Sequence, residues 1–452
     1  MSTLNRRALL GAVAGTAGLT ALGQGSTSAR AQTASGGDLL APTPPMGWNS
    51  WNSFATTITE KQAKDVARVM ADKLLPYGYD VFTVDIQWYE PNATGYAYRD
   101  QAELAMDGYG RLQPAPNRFP SARGGAGFKP LADHIHGLGL KFGIHLMRGI
   151  PRIAYDKDLP VLGTEYTARD IANPLSICTW NGDMYGVDMS KPGAQAYYNS
   201  VFQMFADWGV DYVKVDDISR PYEDHWDEVE AIRSAMDATG RPMVLSLSPG
   251  ETNIEWGAHA QKYAQLWRIS DDFWDDWQLL HDQFERLHNW NGFRRPGAWP
   301  DADMLPLGTL ALGDRKSRFT RDEQQTLMTL WAIARSPLIM GGDLRDLEDN
   351  TLRLLTNRDV IAVNQHSHNN MQLWNNGDQI VWRAESPEGD IYAALFNLHQ
   401  WSRPIEQPLK ALGAPDTARV TELWSGRTST ISDSISQELR SHASALYKIS
   451  AV

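Results

Sequence analysis

Two pairs of adjacent aspartates stand where predicted strands end. Asp216-Asp217 closes the run Asp211-Tyr212-Val213-Lys214-Val215, and Asp271-Asp272 follows Trp267-Arg268-Ile269-Ser270. Each apolar or alternating run stops abruptly on acid. In a (β/α)8 barrel, residues at the C-terminal ends of the strands face the active site. Two carboxylates so placed suffice to cleave a glycosidic bond, one attacking the sugar and the other handling the proton. The bland alternative is that these acids cap the helices that follow. Successive strand residues face opposite sides, so one acid of each pair is expected to face a substrate.

The elements that must position these acids alternate regularly. Strand candidates are Met46-Gly47-Trp48, Val81 to Asp85, Lys141 to His145, Tyr212 to Asp216, Met243 to Ser248, Leu266 to Ser270, the stretch around Met304-Leu305, and Leu338 to Gly342. Between them, Glu60 to Leu75, Lys129 to Leu138, Gly193 to Trp208 and Asp224 to Ala238 carry apolar residues at three- and four-residue spacing, the mark of helices. Strands alternating with helices imply a parallel sheet. Eight repeats imply closure into a (β/α)8 barrel over residues 45–366. An open doubly wound sheet stays open as an alternative, although no G-x-G-x-x-G follows an early strand.

From about Gln372 the pattern changes to β-like runs, Gln379 to Arg383, Asp390 to Phe396, Ala418 to Trp424 and Ala445 to Ile449, separated by turns such as Asn375-Asn376-Gly377-Asp378. Residues 367–452 are therefore expected to form an antiparallel β-sandwich.

The bulk composition narrows the function. The chain of 452 residues carries a formal charge of -12, which disfavours a nucleic acid partner. Its 17 Trp and 16 Tyr supply the flat rings on which sugars stack, although most such rings fill cores. With Cys178 as the single cysteine, no intramolecular disulfide or cysteine metal cluster can form. The histidines, including His366 and His368, lack metal-ligand spacing, and His134 and His136 read as a helix surface pair; neither metal nor cofactor is expected.

Residues 1–31 read as a signal peptide. Asn5-Arg6-Arg7 opens a twin-arginine pattern, a short run of small apolar residues follows to about Leu22, and Ala29-Arg30-Ala31 offers a cleavage site. Export by the Tat route to the periplasm or medium is expected, with a flexible lead-in over residues 32–44. Beyond the signal, no stretch has the roughly 18 apolar residues needed to span a bilayer.

Five motifs together resemble glycoside hydrolase family 27, the α-galactosidases (melibiases). They are Pro44 to Asn52, Lys214-Val215-Asp216-Asp217, Trp299 to Leu305, Ser336 to Arg345 and Val360 to Gln365, in family order. The resemblance implies a (β/α)8 barrel followed by an antiparallel β domain, in agreement with the independent reading. It also implies a retaining exo-glycosidase acting on terminal α-D-galactosyl residues of oligosaccharides or glycoconjugates. By motif, Asp216 resembles the nucleophile and Asp272 the acid/base, with Asp217 and Asp271 as rivals. Trp51 resembles the aromatic wall of the sugar pocket, and Asp85 and Asp303 resemble carboxylates that bind ring hydroxyls. Lys214, on the same strand face as Asp216, would hold a sugar hydroxyl and favour the ionised nucleophile. Arg268 would reach a hydroxyl as a multi-donor fork.

Three departures bear on the sugar. Where the family usually has Asp-Asp-Cys-Trp, this chain has Asp85-Ile86-Gln87-Trp88, losing the second carboxylate. Such a loss can cost on the order of 1.5–3 kcal/mol at a sugar's outer hydroxyl. His145 stands in place of a usual Tyr and can still donate to a sugar hydroxyl, and Ser248 occupies the place that influences the 2-substituent, leaving space there. Specificity for β-L-arabinopyranosides, which lack the hydroxymethyl group, or for α-N-acetylgalactosaminides therefore remains an alternative. A carbohydrate-binding protein without catalysis is a further one, less favoured because both aspartates, Lys214 and Arg268 are kept. The oligomeric state is not legible.

Overall fold

The computed structural model describes residues 39–452. The expected signal peptide and the first part of the lead-in lie outside the described residues.

Eight parallel strands form the central sheet: β1 (Met46–Asn49), β2 (Val81–Val84), β3 (Lys141–Met147), β4 (Tyr212–Asp216), β5 (Val244–Leu247), β6 (Leu266–Arg268), β7 (Trp299–Asp301) and β8 (Leu338–Met340). Neighbours pair in chain order from β1 to β7, and β1 also pairs with β8. The remaining gap is closed by a bridge, in which Leu305 pairs with Met340 and donates to the Ile339 carbonyl at 2.8 Å. The sheet is thus the expected (β/α)8 barrel. Its strands are buried along nearly their whole length, as parallel strands covered by helices must be.

The seventh strand departs from expectation. It is Trp299-Pro300-Asp301, not the apolar stretch around Met304-Leu305. The chain turns after Ala302, where Asp303 takes φ 81°, and Leu305 then supplies the closing bridge. A proline inside a three-residue strand hid it from pattern reading. The sixth strand also ends earlier than expected, at Arg268, which leaves Asp271 and Asp272 on the following loop.

The helices begin where their sequences say they should. Thr59 and Gln62 form a capping box for Glu60–Lys73, and Thr320 and Glu323 form another for Arg321–Ala334. Close packing of β1 on β2 requires a glycine at position 47, since a Cβ there would collide with the Val81 carbonyl. The expected surface histidines are not both free: His136 Nε2 lies 2.7 Å from Asp211 Oδ2, tying the helix Lys129–Gly137 to the start of β4. Ala41 accepts hydrogen bonds from Trp299 Nε1 at 2.8 Å and from Gly297 N at 3.0 Å, so the described end of the lead-in is bonded to the barrel.

One excursion was not foreseen. Between β3 and β4 the chain forms a three-stranded antiparallel sheet from Ile150–Pro151, Ala172–Ile177 and Met184–Val187.

After the barrel, eight strands build the antiparallel sandwich. A six-stranded sheet contains β9 (His368–Asn375), β10 (Gln379–Glu385), β11 (Ile391–Asn397), β13 (Thr417–Glu422), β14 (Arg427–Ser432) and β16 (Ser444–Ala451). A two-stranded sheet pairs β12 (Arg403–Pro408) with β15 (Ser434–Leu439). Alternation along β10 divides its burial. Ile380 and Trp382 join the barrel's core, whereas Val381 joins the core between the two sheets. The ring of His442 stacks on Trp277 at 3.6 Å, and Thr326 Oγ1 donates to the His442 carbonyl, fastening the sandwich to the barrel.

Candidate active site

The C-terminal ends of β2 and β4 and the segments that follow β1 to β6 enclose a cavity of about 350 Å³, whose lining includes Trp51, Asp85, Ile86, Lys214, Asp216 and Asp272. Tyr98, Trp180, Arg220, Pro249 and Asp271 complete the lining. Six expected site residues therefore meet around one space.

Asp216 ends β4 and is nearly fully buried. His145 Nε2 lies 2.8 Å from Asp216 Oδ2, and Lys214 Nζ lies 3.7 Å from Oδ1. Asp216 Oδ1 has no hydrogen-bond partner among the described residues. Burial pushes the Asp216 carboxyl up, but the Lys214 ammonium and His145 outweigh it and hold it well below the usual carboxylate range. The result is an ionised carboxylate with one oxygen uncommitted at a cavity wall. Its rival Asp217 takes φ 61° and turns away; its Oδ2 accepts from Arg148 Nη2 at 2.8 Å. Position along the strand and backbone conformation together put Asp216, and not Asp217, in the cavity lining.

Lys214 is shared. Its ammonium donates to Asp85 Oδ2 at 2.9 Å, and Asn49 Nδ2 donates to the same oxygen at 2.7 Å. The second Asp85 oxygen accepts from Ile86 N at 2.7 Å. Asp85, His145 and Asp216 present ligand-type atoms within 4.8 Å of one another. Lys214 already supplies the cation to two of these three groups.

Asp272 sits at the mouth of the cavity with its side chain 45% exposed. Arg268 Nη2 lies 3.2 Å from Asp272 Oδ1 and 2.9 Å from Asp303 Oδ2. Its Nη1 donates to Ser248 Oγ at 3.3 Å. The rival Asp271 also lines the cavity, but accepts from Arg220 Nη1 at 2.6 Å.

Four expected sugar contacts lie one layer back. His145, Ser248, Arg268 and Asp303 are buried and do not line the cavity. His145 lies against Asp216, Ser248 lies beside Asp216 and accepts from Arg268, and Arg268 bridges Asp272 and Asp303. Asp303 also accepts from Phe273 N at 2.7 Å. Each of the four is packed within one residue of Asp216 or Asp272. Tyr98 and Trp180 were missed by sequence reading. The Tyr98 ring stacks with Trp51 at 6.2 Å and 6°, and Trp180 tilts against Tyr98 at 5.5 Å. Both arrive on loops with no periodic signal; their aromatic character was the only clue.

Burial, with Asp272 and Asp301 close by, pushes Asp303 up to about 7 in spite of Arg268. The folded protein then keeps a proton that the unfolded chain releases near 3.8, so it binds more protons between those values and stability falls as pH rises across that window. Asp303→Asn keeps an acceptor for Phe273 N and removes the titration. Its Tm is expected to decline less than the parent's from about pH 4 to pH 7; equal declines would show that Asp303 is ionised throughout.

The chain is similar in sequence and fold to known proteins. Residues 43–157 and 174–366 match the family model for alpha galactosidase A, and residues 376–449 match that of the alpha galactosidase C-terminal beta sandwich domain. An α-galactosidase of Cyamopsis tetragonoloba is 28% identical over 419 residues, spanning 90% of this chain and 86% of its own. Among solved structures, a family 27 β-L-arabinopyranosidase from Geobacillus stearothermophilus is 49% identical with TM-score 0.90, covering 91% of this chain and 97% of that one. A Bacillus halodurans protein proposed to be an α-N-acetylgalactosaminidase is 47% identical with TM-score 0.82, covering 92% and 100%. The chain belongs to glycoside hydrolase family 27, the α-galactosidase family, and is a glycoside hydrolase. Residues 158–173 fall outside the match and lie within the excursion that delivers Trp180 to the cavity.

Proposed function

We propose that the protein is an exported retaining exo-glycosidase that prefers terminal β-L-arabinopyranosyl residues. α-D-Galactosides, first in expectation from the sequence, share the ring hydroxyl pattern and serve as slower substrates.

The observation that carries the preference is Ile86. Its side chain is buried in the cavity wall immediately after Asp85, where relatives of galactoside specificity usually have a second carboxylate. An apolar wall offers nothing to a hydroxymethyl oxygen, and burying that oxygen without a partner carries a desolvation cost. A pentopyranose has no such group. The 49% identical β-L-arabinopyranosidase supports the same reading.

In the mechanism, Asp216 attacks the anomeric carbon and forms a glycosyl ester as the bond to the leaving oxygen breaks. Asp272 gives its proton to that oxygen. It then takes a proton from water, which attacks the same carbon and releases Asp216. Two inversions give retention. Lys214 keeps Asp216 ionised and ties it to Asp85. Asp85 accepts hydrogen bonds from ring hydroxyls, and Trp51 supports the apolar face of the ring.

Export through the twin-arginine route belongs to this proposal; it rests on Arg6, Arg7 and the Ala29-Arg30-Ala31 site, and fractionation of expressing cells tests it. Among the described residues, no helix is long and apolar enough to cross a membrane.

The specificity test is a pair of nitrophenyl glycosides. The mature enzyme is expected to show a kcat/KM for the β-L-arabinopyranoside at least about tenfold above that for the α-D-galactopyranoside, the ratio that 1.4 kcal/mol sets. A ratio of one or below would return α-D-galactose to first place.

A further inference from the structure

We infer that the protein carries a second binding site, a groove for a neutral oligosaccharide chain on the leaving-group side of the bond it cleaves. This rests on the glycosidase reading above and adds the chemistry of the aglycone.

Arg220 lines two cavities at once. One is the sugar cavity. The other, of about 440 Å³, is walled by Glu251, Thr252, Asn253, Arg286 and Asn289. The Arg220 guanidinium is held by Asp271 at 2.6 Å, next in sequence to Asp272. It lies across Gly250, where φ is +88° and an added Cβ would meet Arg220 Cβ at 3.0 Å. A leaving group departs past the residue that protonates it, so sugar units beyond the cleaved bond are delivered toward Arg220 and the second cavity.

The walls suit hydroxyl groups. Glu251 offers acceptors, and Arg286 and Asn289 offer donors. Arg286 Nε lies 3.7 Å from Glu251 Oε2, too long for a hydrogen bond and open to a shared hydroxyl. Thr252 Oγ1 is buried with no hydrogen-bond partner among the described residues, an unused donor and acceptor in the wall. Charges balance locally, Arg220 against Asp271 and Arg286 against Glu251, which fits a neutral chain better than an anionic one. The cavity then adjoins aromatic surface. Ile254, in its wall, begins a short helical turn that carries Trp256, whose indole lies nearly parallel to Trp226 at 6.4 Å and 17°. Trp226 is 41% exposed. A polar cleft beside exposed flat rings is a surface on which successive pyranoses bond and stack.

The test uses binding, so that it does not depend on turnover. Asp216→Asn protein is titrated calorimetrically with methyl β-L-arabinopyranoside and with the same sugar carried on chains of one to three glucose or galactose residues. Kd is expected to fall at least tenfold from the methyl glycoside to the longest chain in one series. Glu251→Ala/Arg286→Ala in the same background is expected to flatten that gradient. Equal Kd at every chain length in both series would overturn the groove, and so would a gradient in the double variant equal to its parent's. Lack of wild-type turnover on every nitrophenyl glycoside would count against the glycosidase reading alone, because the gradient is read from binding.

Discussion

Asp216→Asn is expected to abolish turnover while leaving the sugar cavity able to bind. The amide is close in shape to the carboxylate and keeps an oxygen to accept from His145, which now sits 2.8 Å from Oδ2. Lys214 keeps its 2.9 Å bond to Asp85, so the cation remains partnered. What is lost is the negative oxygen that faces the anomeric carbon. Removal of a covalent nucleophile lowers kcat by roughly four orders of magnitude or more in other hydrolases. Turnover of nitrophenyl β-L-arabinopyranoside should fall on that scale, and calorimetric affinity for the methyl glycoside should stay within about tenfold of the parent's. A variant retaining a tenth of the parent's kcat would move the nucleophile elsewhere, with Asp217 and Asp271 next to examine.

Ile86→Asp is expected to turn the sugar preference toward galactose. The new carboxylate would stand beside Asp85 in the cavity wall and accept from the hydroxymethyl hydroxyl of a galactoside. A hydrogen bond to a charged group contributes about 1.5–3 kcal/mol, or roughly ten- to a hundredfold in relative kcat/KM. Two opposing effects bear on the absolute rate. Asp85 already holds Lys214 and Asn49, so a second negative charge nearby is partly offset by that ammonium. Burial penalises the same charge in the unliganded enzyme. Both act on either substrate, so the ratio of the two kcat/KM values isolates the contact. An unchanged ratio would show that Ile86 does not face the outer part of the sugar.

The reaction class was legible because its parts are local. Lys214 and Asp216 sit two apart on a strand whose expected bounds match the observed ones, and alternation puts them on one face. Ile86 was legible as a departure from a motif that is otherwise kept. The division of labour among the remaining residues was not. His145 was expected at a sugar hydroxyl. The register of β3 on β4 sets His145 beside Lys214, and its ring reaches Asp216, the proposed nucleophile, at 2.8 Å. Arg268 and Asp303 were likewise expected in the cavity. The early end of β6 puts Asp272 on a loop, where Arg268 bridges it to the buried Asp303. Tyr98, Trp180 and Arg220 reach the cavity from loops whose paths no periodicity encodes. In the sandwich, β9, β12, β14 and β15 escaped notice because strands such as Arg427–Ser432, exposed along most of their length, carry little apolar alternation.

The most direct test of the account is to find where the sugar becomes covalently attached. A ring-fluorinated β-L-arabinopyranosyl fluoride slows both chemical steps, while its anomeric fluoride still leaves readily, so the glycosyl-enzyme accumulates. Peptide mass mapping of the trapped protein is predicted to show one added fluoro-arabinosyl unit on the peptide containing Asp216, and none after Asp216→Asn. An adduct on Asp272 or Asp217, or an enzyme that turns the compound over with no adduct and releases the inverted sugar, would contradict it.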